Sequence, residues 1–127
     1  MPFSMTRIIF YVHDVRLLKS FYQTHFGFTM IEEIPDEWVV LKAGGIELAL
    51  HLVGVPWRSQ PIGAFSSASG SNTKMVFCVK SGLPDIRQSL LNAGVVMGEL
   101  KRYDGFAQLM CDGKDPEGNM FQLSQSD

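Results

Sequence analysis

RIIFYVHDV, residues 7–15, recurs as KMVFCVKSG, residues 74–82. The offset is 67 positions, and it brings Phe10 onto Phe77 and Val12 onto Val79. The same offset carries Gly27 onto Gly94, Met30 onto Met97 and Glu32 onto Glu99. Self-similarity of this kind points to two copies of one supersecondary unit. The ends of the halves match at a wider offset, GIELAL (45–50) against MFQLSQ (120–125), which aligns Glu47 with Gln122 and Leu48 with Leu123. The extra residues fall in the turn around 114–118, where insertions cost little.

Each copy reads as βαβββ. In the first, residues 7–12 alternate as a strand, and Asp14 can cap a helix over 15–26 that carries Val15, Leu18 and Tyr22 at helical spacing. Gly27 suits the left-handed position that ends it. Strands follow near 29–34, 38–42 and 46–51. The second copy has a strand at 74–79 and a helix at 84–93, opened by Pro84, apolar at Ile86, Leu90 and Ala93, and ended by Gly94. Strands follow near 95–102, 106–112 and 119–124. The fold class expected is α+β. One domain spans 1–127, with module one at about 5–53, a linker loop at 54–73 and module two at about 74–125. The linker is rich in Gly and Ser and holds Trp57 and Phe65; a loop this long is a lid or a linker. SSASGSN, 66–72, reads as flexible linker.

Alternation separates two faces of each strand. Ile8, Phe10 and Val12 oppose Arg7, Ile9 and Tyr11; Met75, Phe77 and Val79 oppose Lys74, Val76 and Cys78. Ile46, Leu48 and Leu50 oppose Glu47, Ala49 and His51; Phe121 and Leu123 oppose Gln122 and Ser124. The wholly apolar face should carry the helix. The mixed face, with Arg7, Tyr11, Glu47, His51, Lys74 and Gln122, should line a pocket.

The composition narrows the classes. Hydrophobic residues make up 46% and charged residues 19%, as in globular proteins. Eleven basic against thirteen acidic residues give a net charge of −2, so no basic field recommends nucleic acid. Cys78 and Cys111 have no metal-type spacing and read as reduced thiols of a cytoplasmic protein, with a bridge left open. MPFSMTR is too short and mixed for a signal peptide, and no apolar run is long enough to span a membrane. Phosphate-binding glycine loops and serine elbows are absent from the sequence.

The duplicated layout, FYQTHFGF at the first helix end, GGIELAL and DPEGNMFQLSQ together resemble the vicinal oxygen chelate superfamily over nearly the whole chain. That group holds glyoxalase I, extradiol dioxygenases, fosfomycin-resistance enzymes and bleomycin-resistance proteins. The resemblance implies two modules forming a cup-shaped mixed sheet with helices on the outer face, often in a homodimer. It implies no single reaction, because sites and not folds carry chemistry.

In metal-using members, four side chains enter the cup from the first and last strand of each module: usually His or Gln, a carboxylate, a second His and a second carboxylate. Carried onto this chain, the positions are Arg7, Glu47, Lys74 and Gln122. Glu47 fits and Gln122 can ligate weakly. Arg7 offers no lone pair, and Lys74 would first have to lose its proton. The expectation is therefore no metal and no cofactor. Glu47 can pair with one cation, leaving the other without a protein carboxylate.

Three functions follow. One is a metal-free binding protein for an anionic small molecule, resembling bleomycin-resistance proteins, with Arg7 and Lys74 receiving the anion. Another is a glyoxalase-like lyase or isomerase with Glu47 or His51 as base. The third is a domain plugged by its own salt bridges and used for interaction. Trp57 and Tyr103 join Tyr11 as aromatics available to cover an organic ligand. His13 and His25 receive no chemistry, Cys78 has no evident base beside it, and Lys101 is expected at the surface.

Overall fold

The computed structural model describes residues 2–62 and 72–127. Phe65 and all of SSASGSN except Asn72 lie outside the described residues. Two compact units divide the chain, Met1–Ala64 and Phe65–Asp127.

The first unit runs β1 (Arg7–Val12), α1 (Val15–Phe26), β2 (Thr29–Ile34), β3 (Trp38–Ala43) and β4 (Ile46–Leu52). Its sheet has the order β1-β4-β3-β2, with β1 parallel to β4 and the other pairs antiparallel. Asp14 caps α1 by accepting from the Leu17 backbone N–H at 2.9 Å, and Gly27 closes it at φ 68°. Val15, Leu18, Phe21 and Tyr22 form its buried stripe. Leu48 and Leu50 of β4 are buried as well, with Val39 and Leu41 of β3. Burying each large apolar side chain contributes about 1.5–3 kcal/mol.

The second unit repeats the plan: β5 (Met75–Val79), α2 (Leu83–Asn92), β6 (Val96–Met97), β7 (Gln108–Lys114) and β8 (Met120–Ser126), in the order β5-β8-β7-β6. The apolar alternation holds. Met75, Cys111, Phe121 and Leu123 are buried, while Val76 and Cys78 are exposed on the other face. Gly113 is required by close packing, since a Cβ there would meet Met97 Sδ at 2.6 Å and the Phe121 ring. In the DPEGN turn, buried Asp115 accepts from the backbone N–H of Glu117 and of Asn119 and from Asn119 Nδ2, each at 2.9 Å.

Three expectations need correction. Helix α2 starts at Leu83, so its buried residues are Leu83 and Leu90, whereas Ala93 is an exposed C-cap. Gln125 of β8 takes the place of an N-cap side chain, accepting from the Leu83 N–H at 2.8 Å. The strand expected over 95–102 is two residues long. Its pairing passes from Met97↔Gly113 to Lys101↔Met110, one residue more on its side than on β7. That extra residue is a bulge, and the first unit has one at the matching place, between Met30 and Glu32. The third is the start of β5: Lys74, expected as its first residue, lies just before Met75. Arg7 lies opposite Glu47 in the first sheet, whereas Gln122 lies opposite Val76 in the second.

Candidate functional site

On the first sheet, parallel pairing sets Arg7 beside Glu47 and Tyr11 beside His51, all on the face away from α1. Arg7 donates from both Nε (3.0 Å) and Nη2 (2.8 Å) to the same oxygen, Glu47 Oε1. The two side chains are 34% and 33% exposed, so this pair contributes at most about 1 kcal/mol. The Arg7 guanidinium also lies 5.6 Å from the centroid of the Trp38 ring.

Trp38 enters this face because β3 runs antiparallel to β4 and pairs Trp38 with His51. Its Nε1 donates to Glu32 Oε2 at 2.8 Å. The His51 ring stands 5.6 Å from the Trp38 ring, nearly perpendicular at 75°, and 5.2 Å from the Tyr11 ring. His51 Nδ1 lies 2.6 Å from the Leu52 carbonyl oxygen. A carbonyl only accepts, so Nδ1 carries a proton, and in the neutral tautomer Nε2 is the acceptor. Beside these rings a cleft of about 520 Å³ opens, bordered by Glu32, Glu37, Trp38, His51, Leu52 and Arg58 among others. Trp57 belongs to the 3-10 turn Val55–Trp57, between two bordering residues, Gly54 and Arg58, and is exposed.

The second sheet groups different residues. Lys74 Nζ donates to Asp112 Oδ1 and Lys101 Nζ to Asp112 Oδ2, each at 3.2 Å. Lys74 therefore has a carboxylate partner, contrary to the expectation that one cation would lack one. Lys101 is not a plain surface residue: it shares that carboxylate and lies 5.5 Å from the Tyr103 ring centroid. Hydrogen bonding to the Tyr103 side chain, then to Asp112, pushes the Lys101 ammonium above the usual lysine range. Gln122 lies between Val76 and Asp112 in the register.

Cys78 and Cys111 are free thiols on opposite faces of this sheet, paired respectively with Ser124 and Leu123 of β8. Burial pushes the Cys111 thiol up.

Within each unit, the residues at the carried-over positions do not fit the divalent ion of the metal-using members. Arg7 has no lone pair, one oxygen of Glu47 already accepts twice, and the Lys74 ammonium is held by Asp112. Among the described residues, no three His, Cys, Asp or Glu side chains converge in a metal-holding group. Trp38, Glu32, Asp112 and Lys101 were missed as site residues. Alternation along β3 and β7 was the available signal, since Trp38 and Asp112 stand in register with His51 and Gln122.

No match was found among curated proteins. Solved structures share the fold. An antibiotic binding protein, TnmS3 from Streptomyces sp. CB03234, is 19% identical with a TM-score of 0.75, covering 100% of this chain and 99% of its own. The fosfomycin resistance protein FosX from Listeria monocytogenes is 14% identical, TM-score 0.72, covering 100% and 94%. Lactoylglutathione lyase from Agrobacterium tumefaciens is 19% identical, TM-score 0.69, covering 98% and 94%. At such identities the likeness speaks for fold alone. The family model of glyoxalases, bleomycin resistance proteins and dioxygenases matches residues 4–123. The chain therefore belongs to the Glyoxalase/Bleomycin resistance protein/Dioxygenase superfamily.

Proposed function

We propose that this chain is a small-molecule binding protein that works without a divalent metal, and that its ligand carries an anionic oxygen. The observation that carries this reading is the group at Asp112. Two ammonium groups share one carboxylate, leaving one formal positive charge in excess. Their side chains are 37% and 38% exposed, so an incoming carboxylate or phosphate can reach them. Arg7 is the weaker anion candidate, because Glu47 already neutralises it. The fold shared with an antibiotic binding protein supports binding as a use of this architecture. Calorimetric titration of small carboxylates and phosphates into the wild type and Lys74→Ala/Lys101→Ala tests the reading. Loss of binding in the variant supports it; anion binding that survives the double change removes it.

A metal-free lyase or isomerase is the second reading, and one observation favours it. His51 has its Nδ1 proton fixed on Leu52, which leaves Nε2 to take a substrate proton. Glu47, the other candidate base, is occupied by Arg7. Turnover of a bound ligand, lost in His51→Gln, distinguishes this reading from simple binding.

We further propose a homodimer. Every residue of the edge strand β2 is exposed, including Met30, Ile31 and Ile34, and bare edges of this kind favour pairing.

A further inference from the structure

We infer that the cleft beside Trp38 and His51 is a recognition site for a planar aromatic amine in its protonated form. The cleft, about 520 Å³, falls within the range of small-molecule sites. Its apolar wall consists of the Trp38 indole with Ile34 and Leu52, and His51 stands at a steep angle to that indole. A flat ring system matches such a wall, and aromatic faces attract a nearby cation.

The polar groups select the charge. Trp38 Nε1, a donor, is committed to Glu32 Oε2. Arg58 turns its Nε to the Val53 carbonyl at 3.1 Å. His51 Nδ1 is committed to the Leu52 carbonyl, so the ring presents Nε2 as an acceptor. Glu32 and Glu37 border the same cleft. Two carboxylates against one guanidinium leave the lining formally negative with His51 neutral. A formally negative lining beside an aromatic wall is complemented by a ligand with N–H donors and a positive charge. An ammonium on a short arm from an aromatic ring meets both requirements.

This inference does not rest on the anion reading, which concerns Lys74 and Lys101. Three probes with one ring and different charge test it: tryptamine (cationic), tryptophol (neutral) and indole-3-acetate (anionic), titrated calorimetrically at neutral pH into Lys74→Ala/Lys101→Ala, which removes the carboxylate site proposed above. Tryptamine should bind at least about fivefold tighter than indole-3-acetate, the factor expected of one partly exposed charge pair. Glu37→Gln should bring the two to within about twofold. Equal or tighter binding of indole-3-acetate overturns the inference, as does a tryptamine preference that survives Glu37→Gln. Absence of binding by all three probes up to about millimolar, an affinity scale near −4 kcal/mol, overturns it as well. The probes are read in the lysine variant, so indole-3-acetate held at Lys74 and Lys101 does not enter these outcomes and the two readings fail separately.

Discussion

Arg7 holds one oxygen of Glu47 twice, through Nε at 3.0 Å and Nη2 at 2.8 Å. The residue best suited to ligate a metal is thereby answered by a fixed cation. A divalent ion approaching Glu47 would meet the repulsion of a guanidinium that cannot deprotonate.

Metal content follows from that pair. Elemental analysis of protein purified without chelator should find well under about 0.1 equivalent of Zn, Ni, Mn or Fe, because two of the four ancestral positions hold cations. Near one equivalent, lost in Glu47→Ala, would contradict the account.

Thiol chemistry should separate the two cysteines. Cys78 is exposed and Cys111 is fully buried. Burial holds the Cys111 proton to higher pH than in the unfolded chain, where a thiol ionises near about 8.5. The resulting stability is present below the unfolded value and is lost as pH rises through the folded one. At pH 8 a thiol reagent should modify Cys78 in the native state and Cys111 only after denaturation. Native-state modification of both at one rate would refute this.

Asp115 is the structural anchor of the DPEGN turn. Asp115→Ala deprives the N–H groups of Glu117 and Asn119, and Asn119 Nδ2, of their acceptor. A loss of about 2–4 kcal/mol in denaturant unfolding is expected, since buried donors without partners are costly. A change under about 0.5 kcal/mol would show that water replaces the carboxylate.

Much of this fold was legible in sequence. Asp14, Gly27 and Gly94 marked helix ends by their chemistry, and alternation assigned the faces of β1, β4, β5 and β8. The register of β5 on β8 was not legible, for a physical reason. Slipping a strand by two residues keeps every side chain on its face, so alternation is blind to it. Gln122 therefore stands beside Val76, although repeat alignment matched it to Glu47 and Lys74 to Arg7. Asp112 and Lys101 are eleven residues apart and meet across a bulged β6–β7 edge. Nothing local in the sequence announces that contact. Trp38 was legible in principle, since the antiparallel β3–β4 hairpin puts it opposite His51.

Assembly is open to direct measurement. Light scattering at micromolar concentration should give twice the 14.2 kDa chain mass. A charge on the exposed edge, Ile31→Lys, should shift the equilibrium toward monomer, as edge charges oppose strand pairing. A wild-type monomer would contradict the homodimer.

The central claim is anion binding without metal, and one titration tests it most directly. Chelator-treated wild type, Lys74→Ala/Lys101→Ala and Arg7→Ala are each titrated calorimetrically with one panel of small carboxylates and phosphates. The account predicts binding by the metal-free wild type, a loss of about tenfold or more in the lysine variant, and a smaller loss in Arg7→Ala. Binding that appears only when a divalent metal is restored, or that is indifferent to both lysines, would contradict it.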